Sequence, residues 1–146
     1  MLSDLLDEFK EGIEEPAEDS DDPDTHYNLG VAFREMGLLD EAIGELQKVC
    51  RALDTGKPFS QPIQAYTWLA QCLVDRGAAP AAIRWYERAL QVKGISEDSR
   101  LAVYYDMAHA FESAGNKKAA LDNFMQVYGS NIDYRDVADR IRSLQK

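Results

Sequence analysis

At 146 residues the chain is long enough to bury a core without disulfide or metal staples. No apolar run approaches the roughly 18 residues that a membrane span needs, and the acidic start MLSDLLDEFKEGIEE has neither the basic end nor the apolar centre of a secretory leader. Membrane insertion and that export route are not expected, which leaves a cytoplasmic location as the default. The net charge of −10 sits entirely in residues 1–24, where eleven acids face Lys10 alone, while residues 25–146 balance 15 bases against 15 acids. Nucleic acid rewards a basic footprint, so it is not the expected partner.

Leu2, Leu5, Leu6, Phe9 and Ile13 recur at helical spacing, which predicts an amphipathic helix within residues 1–13, with Ser3 as its N-cap. The acidic stretch 14–22, broken by Pro16 and followed by Pro23, reads as an extended linker. From residue 23 onward, apolar residues return every three or four positions, and no strand-like alternation intervenes. The body of the chain is expected to be all-α.

Three stretches align without gaps: YNLGVAFREMGLLDEAIGELQKVCRAL, TWLAQCLVDRGAAPAAIRWYERALQV and YDMAHAFESAGNKKAALDNFMQVYGS. Each carries a small residue (Gly30, Ala70, Ala108) behind a larger apolar one (Leu29, Leu69, Met107), then Phe33, Leu73 or Phe111, then a glycine (Gly37, Gly77, Gly115). Five positions beyond the glycine stands an alanine (Ala42, Ala82, Ala120), and four beyond that a bulky group (Leu46, Tyr86, Phe124). This is the pattern of a helical hairpin. Small residues let two helices approach, large ones fill the gaps beside them, and the glycine takes the left-handed conformation that ends a helix.

These residues resemble the tetratricopeptide repeat (TPR) over about residues 23–129. The resemblance implies a right-handed α-solenoid of three hairpins, at about 23–56, 62–95 and 101–130, within a domain over 23–146. The usual terminal proline is replaced by Asp54, Gly94 and Ile132. Leu29, Leu69 and Met107 are 40 and 38 residues apart, against a family norm of about 34, so the inter-repeat turns DTGKPFSQP and KGISEDS are expected to be long. Tyr134, Val137, Ile141 and Leu144 share one face, which predicts a helix over 132–145 that caps the exposed end of the array.

Chemistry-bearing constellations are scarce. Cys50 and Cys72 fall on core-facing positions and read as buried thiols. His26 and His109 stand far apart in sequence, and no phosphate loop, nucleophile elbow or HExxH pattern occurs. No enzyme activity, metal or cofactor is expected. The family likeness implies that the first helix of each hairpin lines a concave wall, which by position places there Tyr27, Val31 and Arg34, then Thr67, Gln71 and Val74, then Tyr105, His109 and Glu112. Trp68, Asp75, Asn28 and Asp106 fall at its edge. The competing reading has Tyr27 and Tyr105 packing against neighbouring helices.

TPR domains that hold acidic chaperone C-termini clamp carboxylates with Lys, Asn and Arg. The matching positions here carry Tyr27, Val31, Trp68, Ala102 and Asp106, so chaperone tails are not the expected ligand. The wall suits an amphipathic helix or an extended peptide with apolar anchors. The expected function is a non-enzymatic adaptor or scaffold that binds a protein or peptide partner. The alternative is a self-associating assembly protein, a homodimer included, whose N-terminal helix docks in its own or a neighbour's groove. Three fates stay open for that helix: a cap on the first hairpin, an occupant of a groove, or a recognition helix for another protein. Its apolar face is too short to be stable alone in water.

Overall fold

The computed structural model describes residues 22–146, so the helix expected over 1–13, with Leu2, Leu5, Leu6, Phe9 and Ile13, lies outside the described residues, as does nearly all of the linker. The described residues form seven helices and no strand: α1 (Pro23–Glu35), α2 (Leu39–Asp54), α3 (Pro62–Asp75), α4 (Ala79–Leu90), α5 (Glu97–Ser113), α6 (Lys117–Ser130) and α7 (Val137–Gln145). Asp22 caps α1 by accepting from the Asp24 N–H at 3.2 Å, and Pro23 follows at the first position, where a missing N–H costs nothing.

Consecutive helices pair as hairpins, α1 with α2, α3 with α4 and α5 with α6, and each hairpin stacks on the next. Every hairpin turn is built the same way. Gly37, Gly77 and Gly115 have φ of 78°, 90° and 82°. The residue after each glycine donates its N–H five positions back, Leu38 to Phe33, Ala78 to Leu73 and Asn116 to Phe111, at 2.8–2.9 Å. That closes the helix end with carbonyls satisfied.

The first two hairpins and the inner side of the third share one core, with Leu46, Leu69, Ala70, Cys72 and Ala82 fully buried. Gly30 lets α1 and α2 approach closely. A Cβ built there would lie 2.7 Å from Leu46 Cγ, and Leu46 itself is fully buried. A second core lies at the other end. Phe124, Val127, Val137, Ile141 and Leu144 join α5, α6 and α7, and Tyr104 and Phe111 border both cores.

The capping helix begins at Val137, later than the sequence pattern suggests. Asn131 turns the chain by accepting from the Asp133 N–H through its side chain, and Arg135 adopts a left-handed φ of 43°. The intervening segment therefore folds as tight turns, while the apolar face of Val137, Ile141 and Leu144 still closes the array. Both inter-repeat connections are irregular, but α5 starts inside the second one, because Ser96 caps it by accepting from the Ser99 N–H at 3.1 Å.

Cys50 and Cys72 are free and fully buried. Burial pushes the Cys50 thiol up to about 12, and it raises Cys72 as well, against the opposing charge of Arg34. The thiolate is the reactive form, so neither cysteine is expected to react with an aromatic disulfide reagent at pH 8 until the chain unfolds. Thiol release counted with and without denaturant checks this.

Candidate partner-binding surface

A wall needs side chains that neighbouring helices leave partly uncovered. Helices α1, α3 and α5 supply one, because α1 touches α3 and α3 touches α5 directly, which brings the first helices of the hairpins side by side. Along this row the residues expected from the sequence fall into three groups.

Those of α1 are tied to the next hairpin. Tyr27 packs its ring 5.3 Å from that of Phe59, which the long first inter-repeat connection carries, and burial raises its phenol. Arg34 reaches across to α3, where its guanidinium sits 4.7 Å over the Trp68 ring and Nη2 lies 3.3 Å from Asp75 Oδ2. The stacked, ion-paired arginine is a strut between α1 and α3. Val31, between them in sequence, is half-buried.

The α3 residues are the most open. Gln71 and Asp75 are exposed, Trp68 and Val74 are half-buried against the first core, and Thr67 donates its hydroxyl to the Gln64 carbonyl at 3.2 Å. Trp68 therefore presents an aromatic surface that a cation already holds from one side.

The α5 residues lie beneath the terminal segment. Tyr105 is only 9% exposed, and its hydroxyl donates to Asp136 just before α7. Arg135 stacks 4.8 Å from the Tyr105 ring and lies 3.9 Å from Asp106. Glu112 accepts from Arg140 at 2.5 Å. His109 sits edge-on to Tyr105 and Phe124, with centroids 4.7 Å and 5.2 Å away. Tyr105 and Glu112 thus fasten the cap, and Tyr105 takes the packing role that the competing sequence reading gave it.

Several wall residues did not stand out in the sequence as contacts. Phe59 and Arg135 come from connections whose course no helical periodicity reveals. Asp106, expected at the edge of the wall, has its carboxyl raised by burial, and only Arg135 opposes that.

The same packing predicts a pH response. Burial, and next the charge of Arg140, lower the His109 pKa below the usual 6.5. The unfolded chain then binds the proton more readily than the folded one, so stability is present above about pH 6.5 and is lost as pH falls through that range. The other charged groups around His109 are Glu112, Asp136 and Arg135. Between pH 7 and 5.5 the denaturation midpoint is expected to fall, and a His109→Gln variant is expected to follow a flatter curve. Parallel curves for the two proteins would contradict this.

No group of three or more His, Cys, Asp or Glu among the described residues is placed to hold a metal ion, and no described helix is long and apolar enough to cross a membrane. Residues 60–98, which include the whole second hairpin, match the tetratricopeptide repeat family. No curated protein sequence matches the chain. Among solved structures, one of MamA is similar at 21% identity with a TM-score of 0.71, over 86% of this chain and 68% of that one. A second MamA structure is spanned over 62% of its length. The Podosopora anserina putative kinesin light chain repeats are similar at 18% identity with a TM-score of 0.65, over 84% of this chain and 74% of that one. The TPR2AB domain of yeast Sti1, in complex with pHSP90, is similar at 17% identity with a TM-score of 0.61, over 84% of this chain and 46% of that one. Three hairpins in register, the family match on the middle one and these likenesses identify the chain as a tetratricopeptide-repeat fold.

Proposed function

We propose that the row formed by α1, α3 and α5 is a protein-interaction surface, and that the chain acts through it as a non-enzymatic adaptor. The observation that carries this reading is the α3 strip of Trp68, Gln71, Val74 and Asp75, which the array holds rigid and leaves partly uncovered. A prefolded wall loses little ordering entropy on binding, so its contacts go into affinity. Of the residues expected from the sequence, Val31, Thr67, Trp68, Gln71 and Val74 are the contact set in this reading. Tyr27, Arg34, Tyr105, His109 and Glu112 hold the wall in place.

The partner segment that fits is one with an apolar anchor for Trp68 and Val74, amide partners for Gln71, and a cation rather than a carboxylate near Asp75 and Asp106. The Sti1 domain was solved with pHSP90, which supports occupation of such a fold by a protein ligand. Tyr27, Val31, Trp68 and Ala102, which offer no cation, and the acid Asp106 argue against an acidic tail as the ligand here. A soluble, cytoplasmic adaptor remains the working picture.

The test is a displayed peptide library selected on the full chain, followed by titration of the best peptides. Trp68→Ala is expected to weaken binding about 30-fold, as for an aromatic anchor worth about 2 kcal/mol. Peptides that bind Trp68→Ala and the natural chain equally would overturn the reading.

A further inference from the structure

The second helix of the last hairpin exposes large apolar side chains, which its two counterparts do not. Leu121, Met125 and Tyr128 on α6 follow each other at helical spacing, and Ile132 comes just past its end. Met125 is 47% exposed, Tyr128 38% and Ile132 60%; Met36 is the one other large apolar side chain so exposed among the described residues. At the position of Met125, the first hairpin has Gln47 and the second has Glu87, read from the alignment of Ala42, Ala82 and Ala120. Contiguous exposed apolar surface of this kind marks a contact site.

Charge indicates what covers it. Lys117 and Lys118 occupy the first two positions of α6, where the helix dipole disfavours cations, and neither has an ion pair among the described residues. Asp133, at the other end of the stripe, is exposed, and its carboxylate has no ion pair there either. The stripe is thus basic at one end, apolar in the middle and acidic at the other. Such a surface complements itself when two copies lie antiparallel, and it opposes itself when they lie parallel.

We propose that α6 pairs antiparallel with α6 of a second copy of this chain, around a two-fold axis that crosses the stripe between Met125 and Tyr128. Met125 then meets Tyr128 of the partner subunit, Leu121 meets Ile132 of the partner subunit, and Lys117 and Lys118 approach Asp133 of the partner subunit. Gly129 flanks the stripe, and a Cβ there would meet nothing within 4 Å of its own chain, so the second helix has room to approach. The contact is isologous and closed. One short helix per copy is a small interface, which places the dimer among weak, concentration-dependent ones. The row of α1, α3 and α5 is formed by other helices than the contact, so the dimer presents two walls and can gain affinity by avidity. This inference does not depend on the partner-binding reading above.

Sedimentation equilibrium of the full chain, from about 1 to several hundred micromolar in low salt, reads it directly. The mass is expected to rise from monomer toward dimer. Met125→Glu, at a half-exposed position that tolerates a charge, is expected to hold the protein monomeric across the range with unchanged helicity. Lys117→Glu/Lys118→Glu is expected to weaken self-association, and mixing it with Asp133→Lys is expected to restore a heterodimer. A monomer at every concentration would overturn the proposal. So would a dimer that survives Met125→Glu, because its contact would lie elsewhere.

Discussion

Phe124→Ala is expected to lower the unfolding free energy by about 3–5 kcal/mol, the range for truncating a large buried aromatic. Phe124 is fully buried where α5, α6 and α7 meet, with ring centroids 5.6 Å from Tyr105 and 5.2 Å from His109. Its removal leaves a cavity that Val127, Val137 and the ring of Tyr105 cannot collapse into, since each is held by its own helix or by Asp136. Such a loss is a large share of the ~5–15 kcal/mol that holds a domain together. Its location matters as much as its size. In a repeat array each unit feels only its neighbours, and Tyr104 and Phe111 are the partly buried residues that border both cores. Amide exchange is therefore expected to accelerate most in α5–α7 and least in α1–α3. A loss below about 1 kcal/mol, or one spread evenly over the helices, would contradict the two-core description.

The second large effect lies at the other end and is a coupling. Leu46→Ala is expected to cost about 2–5 kcal/mol, as for other fully buried leucines. Gly30→Ala brings two opposed terms: a gain of up to about 1 kcal/mol from replacing a mid-helix glycine, and a cost of about 1–3 kcal/mol for forcing Leu46 away from a Cβ that would sit 2.7 Å from its Cγ. The overpacking term wins because Leu46 is fully buried and has no room to turn. In the Leu46→Ala background that term vanishes, so Gly30→Ala becomes stabilising. The four-protein cycle is expected to show a coupling of at least about 1 kcal/mol, measured by denaturant titration. Additive effects would mean that the close approach of α1 and α2 does not decide the identity of residue 30.

What the sequence disclosed and what it hid differ for a physical reason. The hairpins were legible because helix packing is periodic. Gly30, Ala70 and Ala108 repeat in register with Leu46, Tyr86 and Phe124, and Gly37, Gly77 and Gly115 mark turns that only a left-handed residue closes cheaply. The family likeness also placed Tyr27, Arg34 and Tyr105 on the first helices of their hairpins, and Tyr105 proves buried there beneath the terminal segment. The likeness could not say what else reaches those helices. Phe59 arrives from one connection, and Arg135 and Asp136 from another, and neither has a helical repeat to read. For the same reason the start of α7 moved to Val137, since the turn is set by the Asn131 side chain and the left-handed Arg135. The α6 stripe was not singled out in the sequence, because its apolar residues gain meaning only once the described helices leave Met125, Tyr128 and Ile132 exposed.

In the proposed function, partners are held by the row of α1, α3 and α5. Amide hydrogen exchange of the full chain, with and without a saturating library-selected peptide, tests it most directly. Slowed exchange is expected in α3 around Trp68–Asp75, with weaker protection in the facing parts of α1 and α5. Protection confined to α2, α4 and α6, with the first helices of the hairpins unchanged, would contradict it.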